Sequence, residues 1–211
     1  MKRISLIICL IGAMMASMNL NAQTPEEIVE RMSTELAKGD SLGMTFDLVM
    51  TIPIIGTFSS TNSILGDKMK LVVSGKDNTN ISWDDGTTNW DYDSAKNEVT
   101  ITNSKPKENN DTSNDPGLAA SVSDGYDLSF DKKDDDNAWY IVCKKSRSNK
   151  SKDDPKRIDM AISKTTYLPI YTKTKAKGIT ISMENYVIGV TEEEVTFNPA
   201  NYPTAKIIDE R

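Results

Sequence analysis

Residues 80 to 101, NISWDDGTTNWDYDSAKNEVTI, carry the clearest structural pattern in the chain. Around Trp83 and again around Trp90, apolar and polar residues alternate. Alternation with a period of two predicts strands with one apolar face. The Asp-Gly pair at 85–86 lies between the two runs and strongly favours a tight hairpin turn. The stretch therefore predicts part of an antiparallel β-meander.

The same alternation extends in both directions from this meander. Before the meander, apolar and polar residues alternate from Phe46 to Ile52. Near the end of the chain, Val195 and Phe197 predict a closing strand. Further alternating runs occupy residues 58–65, 68–74, 128–130, 139–143, 158–162, 168–172 and 179–183. The total is about ten to eleven strands.

A helix is expected ahead of the first strand. Thr24 is a favourable N-cap, and Glu27 completes a capping box with it. Apolar residues then recur at helical spacing, which predicts an amphipathic helix over 25–38, with Gly39 as its stop. A second, short helix is predicted over 116–123, after a polar loop.

The first 22 residues have the features of a cleavable signal peptide. Lys2 and Arg3 precede an apolar run of about 15 residues, which is shorter than a membrane span, and Ala22 is a suitable residue before the cleavage site. Cys9 follows a bulky isoleucine rather than a small residue, which argues against lipid attachment there. We therefore expect a signal peptide over 1–22 and one exported domain over 23–211.

Composition excludes several classes of function. The chain has no histidine, so a Ser-His-Asp triad, a Cys-His pair and a His-bearing zinc site are impossible. Lys+Arg falls from 25 to 23 without the leader while Asp+Glu stays at 31, so the net charge moves from −6 to −8, which disfavours nucleic-acid binding. Only Cys143 would remain, and we expect it to be buried. No acidic run has calcium-loop spacing, so no metal or other cofactor is predicted.

A sheet with one apolar face must bury that face. A second sheet can cover it, or the sheet can curl, with helices lying over its interior. Two amphipathic helices suit the second arrangement. We predict a mainly β fold: a strongly curved, half-open antiparallel barrel of about ten to eleven strands, with helices covering the concave face.

Several motifs, in order along the chain, resemble the LolA family of periplasmic lipoprotein carriers. They are FxxxM at 46–50, DGxxxWxYDxxxNxVxI at 85–101, YLP at 167–169 and FNPxxYPxAxIID at 197–209. The resemblance covers roughly residues 24–209. It implies a half-open, eleven-stranded barrel closed by helices. Arg31, Arg147 and Arg157 are candidates, by residue type alone, for the arginine that holds the family's lid.

The resemblance also implies a function. A carrier of this kind receives acylated lipoproteins from an inner-membrane ABC exporter, crosses the periplasm as a chaperone and delivers them to an outer-membrane acceptor. It needs an apolar interior and no catalytic residue, and we expect a monomer. The alternative is a lipid-binding or lipoprotein-sensing module of the same fold without transfer activity. A secreted hydrolase with paired carboxylates is a third possibility, although no pair stands out among the 31 acids.

The candidate lining of the cavity consists of apolar residues that alternate along the predicted strands. These residues are Phe46, Leu48, Met50, Met69, Leu71, Val73, Trp90, Tyr92, Ile141, Met160, Ile162 and Met183. Leu118 and Val122, four residues apart, are candidates for a hydrophobic lid. Any one of the twelve lining residues, taken alone, more often fills an ordinary core, whereas the set together favours a cavity. Leu118 and Val122 could equally pack a helix on the sheet. Methionine side chains, of which the expected exported chain has six, give a soft surface that suits a lipid cavity.

Overall fold

A computed structural model describes most of the exported region predicted above. The described residues are 23–104, 125–133, 135–152, 154–176 and 178–211. The predicted signal peptide over 1–22 lies outside them, as does the predicted short helix with Leu118 and Val122.

The expected helix forms at the start of the described chain. Helix α1 spans Pro25–Leu36 and begins with the predicted capping box. The Glu27 backbone N–H donates to Thr24 Oγ1 at 3.2 Å, and the Thr24 N–H donates to Glu27 Oε2 at 3.0 Å. Helix α1 ends two residues earlier than predicted, and a four-residue helix α2, Gly39–Leu42, follows it.

Twelve strands of the described residues form one sheet. They are β1 Met44–Ile52, β2 Gly56–Leu65, β3 Lys68–Ser74, β4 Thr79–Asp84, β5 Thr88–Asp93, β6 Glu98–Asn103, β7 Tyr126–Phe130, β8 Ala138–Lys145, β9 Arg157–Ser163, β10 Pro169–Ala176, β11 Ile179–Ile188 and β12 Lys206–Asp209.

The strand order is β12-β6-β5-β4-β3-β2-β1-β11-β10-β9-β8-β7. Neighbours are antiparallel except β12, which runs parallel to β6. The end strands β12 and β7 are not paired with each other, so the sheet stays open. The predicted curved, half-open barrel is thus confirmed, with twelve strands among the described residues rather than the ten to eleven predicted.

The closing strand predicted around Val195 and Phe197 was wrong. Residues 192–196 form turns, in which Glu194 Oε2 accepts hydrogen bonds from the N–H of Thr191 at 2.7 Å and from its hydroxyl at 2.8 Å. Val195 is buried in this turn, and Phe197 packs on Trp83. The last strand is instead β12, which the alternation did not identify.

Helix α1 covers one face of the sheet, which we call the inner face; the other is the outer face. Ile28, Val29, Met32 and Leu36 on one side of α1 are all buried. They form a core cluster with apolar side chains from β7, β8 and β9. The cluster includes Tyr126, Ile141, Cys143, Ile158, Met160 and Ile162.

The carboxyl-terminal segment covers the outer face at the other end of the sheet. Trp83 is buried there, with ring centroids 5.3 Å from Phe197 and 5.6 Å from Tyr202. The sheet therefore has two cores on opposite faces, one under α1 and one under residues 195–202.

Candidate functional site

Between the two cores, the inner face carries an apolar surface that the described residues leave partly open. Strand pairing places Leu48 opposite Met183, and Met50 between Ile181 and Phe58. Paired residues point to the same face, so these side chains form one patch. We call the whole set the apolar strip: Leu48, Met50, Phe58, Leu71, Val73, Ile181 and Met183.

The side chains of the strip are neither fully buried, as in a core, nor fully exposed to solvent. Phe58 is 52% exposed and Val73 36%, while the five other members are intermediate between buried and exposed. Ser60 and Asn62 of β2 also point to the inner face and interrupt the apolar area. An aromatic ring and six aliphatic or thioether side chains, all of them partly or largely exposed, provide surface for an apolar ligand.

The structure divides the predicted cavity lining into groups. Five of the twelve residues belong to the apolar strip: Leu48, Met50, Leu71, Val73 and Met183. Ile141, Met160 and Ile162 are at most 1% exposed and pack under α1. Phe46 is 4% exposed and stacks on Tyr186 at 5.8 Å between ring centroids. Met69 is half-buried and pairs with Ile64 beyond the strip.

Trp90 and Tyr92 are placed on the outer face. Leu71 pairs with Ser82, so the neighbouring Trp83 points the other way, and Trp90 pairs with Trp83. Trp90 stacks on Phe197 at 5.7 Å between ring centroids. Tyr92 packs on Tyr202 at 4.5 Å. These two side chains hold down the carboxyl-terminal segment and do not border the apolar strip.

Phe58 and Ile181 belong to the strip but were not among the predicted lining residues. Both could have been found from the sequence. The turn predicted between β1 and β2 sets a register in which Phe58 opposes Met50. Ile181 alternates with Met183 on the same strand.

Beyond β3 the inner face becomes polar. Ser82 of β4 donates a hydrogen bond to Asp91 of β5, and Asn89 Nδ2 donates to the same carboxylate at 2.5 Å. Asp84 Oδ1 accepts from Ser104 Oγ at 2.7 Å. The inner face thus carries an apolar half and an acidic, hydroxyl-rich half side by side.

A shallow depression on the outer face is chemically different from the strip. It has a volume of about 280 Å³ and lies between β1, β2 and β11. Asp47, one of its lining residues, accepts hydrogen bonds from Thr61 Oγ1 at 2.6 Å and Asn185 Nδ2 at 2.8 Å. Its carboxylates and hydroxyls suit water rather than a hydrocarbon.

Cys143 is fully buried in the core under α1, as expected from its position on the alternating face. Burial raises the pKa of its thiol to about 12, and Asp159 adds to the increase. The thiol is therefore neutral at ordinary pH and is not an activated nucleophile.

The three arginines considered for a lid contact have different surroundings. Arg31 on α1 lies 4.0 Å over the Tyr167 ring, and its Nη1 donates to the Tyr167 hydroxyl at 3.3 Å. Arg157 forms an ion pair with Asp159 at 2.6 Å on the outer face. The backbone carbonyl of Arg147 accepts a hydrogen bond from a lysine in its own loop. The Arg31 contact fixes α1 to the β9–β10 turn.

No protein-family model and no curated protein matches the chain. Among solved structures, an uncharacterized conserved protein from Thermus thermophilus is 14% identical, with 88% of this chain and 98% of that chain covered and a TM-score of 0.45. A LolA superfamily protein from Nitrosomonas europaea is 8% identical, with 85% of this chain and 100% of that chain covered and a TM-score of 0.35.

A putative outer membrane lipoprotein-sorting protein domain from Vibrio parahaemolyticus is 13% identical, with 84% of this chain and 97% of that chain covered and a TM-score of 0.31. Because each of these three TM-scores is below 0.5, the function proposed below rests on the residues of this chain. Among the described residues, no helix has the length and apolar character needed to cross a bilayer.

Proposed function

We propose that this protein is a periplasmic carrier that holds the acyl chains of lipoproteins, or of similar lipids, against the apolar strip. The observation that carries the proposal is the half-open state of the strip. Burying Phe58 and Val73 would complete a second apolar layer beside the core under α1, and nothing among the described residues does so. An acyl chain has the right chemistry to fill that place.

The energetics fit this role. Keeping a 16-carbon acyl chain in water costs about 13 kcal/mol, at ~0.8 kcal/mol per CH₂. A soluble carrier lowers that cost by offering apolar area, which a row of residues such as Leu48, Met50 and Met183 provides. No bond is made or broken, so the proposal requires no catalytic residue, and we propose that the protein is not an enzyme.

The polar half of the inner face supports an amphiphilic ligand. Asp84 and Asp91 lie across the sheet from the strip. A lipoprotein has a hydrocarbon part and a polar polypeptide part. The first would lie on the strip and the second over the strands that carry these carboxylates.

The sequence supplies the remaining parts of the proposal. Cleavage after residue 22 would release residues 23–211 into the periplasm as a single domain. Leu118 and Val122 would form the lid that closes over the bound chain. The loading partner would be an inner-membrane ABC exporter and the receiving partner an outer-membrane acceptor, as the LolA resemblance implies.

Two measurements test the proposal. The delipidated protein should bind a fluorescent acyl probe, and the loaded protein should pass the probe to acceptor vesicles. Binding without transfer would favour the lipid-sensing alternative. If acylated probes of every type fail to bind, both readings are refuted.

A further inference from the structure

The turn between β1 and β2 exposes two isoleucines to water. Ile54 is 107% exposed and Ile55 68%. Ile54 also has a φ of 72°, a conformation that is unfavourable for a β-branched residue. Asparagine or glycine would suit this turn better. Side chains this exposed add little packing to the folded chain, so their apolar character points to a contact outside the chain.

The exposed turn lies at one end of the apolar strip. Ile52 pairs with Gly56 across the base of the turn, and Met50 pairs with Phe58 one step further in. The apolar strip therefore ends beside Ile52 and Gly56, at the base of the tip. The tip is the place where the strip reaches the end of the sheet.

Lysines lie beside the tip. Lys173 and Lys175 are exposed on β10. Lys175 pairs with Thr180, which pairs with Thr51 of β1 near the turn. Lys173 pairs with Asp159 of β9, whose charge is balanced by its ion pair with Arg157. In a chain with a net charge of −6, this end of the sheet therefore presents positive charge next to exposed hydrocarbon.

The surroundings of the tip favour a lipid surface over a protein partner. Two isoleucines on a narrow turn offer far less area than the roughly 1,200 Å² of a stable protein interface. The outer side of the hairpin is polar, with Thr51 Oγ1 and Thr57 Oγ1 in contact at 3.0 Å. Lys76 and Asp77 in the nearby β3–β4 turn are both exposed and offset each other. An apolar point bordered by ammonium groups matches the boundary of an anionic bilayer.

We propose that the Ile54–Ile55 tip enters the surface of a bilayer that contains anionic lipids, with Lys173 and Lys175 at the headgroups. The inference deepens the proposed function, on which its biological meaning rests. With the tip in the membrane, the open end of the strip faces the acyl chains. Membrane binding by the tip is nevertheless measurable on the empty protein.

The test compares two double variants of the full chain, purified without ligand. Binding is measured by flotation with phosphatidylcholine vesicles, with and without phosphatidylglycerol. Ile54→Asn with Ile55→Ser should lower vesicle binding about a hundredfold, since each isoleucine contributes about tenfold. The control, Ile170→Ser with Ile207→Ser, removes isoleucines that are 44% and 49% exposed elsewhere. It should bind as the wild type does.

The stability of the tip variant is a second measurement. Asparagine accepts a positive φ more readily than isoleucine. The tip variant should therefore melt at the same temperature as the wild type or higher while it binds vesicles less. A lower melting temperature would mean that Ile54 and Ile55 stabilise the fold, which would overturn the inference.

Charge is tested separately with Lys173→Gln and Lys175→Gln. Each substitution should weaken binding to vesicles with phosphatidylglycerol about fivefold and leave binding to phosphatidylcholine unchanged. If the wild type and the tip variant bind vesicles equally, the inference is overturned. This holds even if the tip variant no longer binds some protein partner. The tip variant should bind the acyl probe normally. If the wild type itself does not bind the acyl probe, the proposed function is refuted instead.

Discussion

Leu48→Glu places a carboxylate in the middle of the apolar strip, between Met183 and Ser60 on the neighbouring strands. Full burial of a leucine side chain is worth about 1.5–3 kcal/mol. Leu48 is already half-buried, so its contact with a ligand should contribute about 1 kcal/mol. Holding a carboxylate against hydrocarbon should cost at least a further ~2 kcal/mol. The sum of about 3 kcal/mol predicts roughly a hundredfold weaker binding of an acyl probe.

Val49→Glu is the matched control for this experiment. Val49 is the next residue on β1, is also half-buried and points to the outer face. The same carboxylate there should leave probe affinity within about twofold of the wild type. The assay is a fluorescence titration with a delipidated protein, and circular dichroism checks that both variants fold. If the two substitutions weaken binding equally, or if neither does, the inner-face strip is not the binding surface.

Three further predictions concern stability. Thr24→Ala removes the cap of α1 and should lower the free energy of unfolding by about 1 kcal/mol, measured by urea titration; no change would mean that the cap is not formed. Phe197→Ala should cost about 2–3 kcal/mol, because the ring packs on Trp83 and Trp90 across the outer face. An unchanged urea midpoint would contradict that packing. The raised pKa of Cys143 means that the folded state disfavours the thiolate. Stability linked to this group is complete below about pH 9 and lost as the pH rises toward 12, by about 1 kcal/mol at pH 10. The pH dependence of unfolding should therefore be shallower in Cys143→Ala, and parallel curves would refute the assignment.

Local chemistry made parts of the fold predictable. The Thr24–Glu27 capping box and the Asp85-Gly86 turn depend on neighbouring residues, and both occur where the sequence indicates. At Gly86 the φ of 84° is one that glycine adopts without strain. Alternation also identified correctly which side chains share a face within a strand.

Relations between distant strands were harder to predict. Leu71 and Trp90 alternate equally well, yet they lie on opposite faces. The difference arises because Phe197 covers Trp90 from more than a hundred residues away. Strand alternation holds no information about which face a remote segment will cover. The same reason explains β12, whose parallel pairing with β6 depends on the path of the carboxyl-terminal segment.

The exposed tip shows where local rules and function diverge. The sequence predicts a turn at Pro53 to Gly56, which the structure contains. It does not predict that Ile54 would adopt a positive φ with its side chain in water. Such a departure from turn chemistry lowers stability and is typical of functional positions.

The most direct test of the central claim, that the strip holds hydrocarbon, is a titration of the delipidated wild type with a series of acyl chains of increasing length and constant headgroup. Each added CH₂ that the strip buries contributes ~0.8 kcal/mol, so affinity should rise about fourfold per carbon until the strip is filled. Affinity that does not change with chain length would show that the headgroup alone is recognised and would contradict the claim.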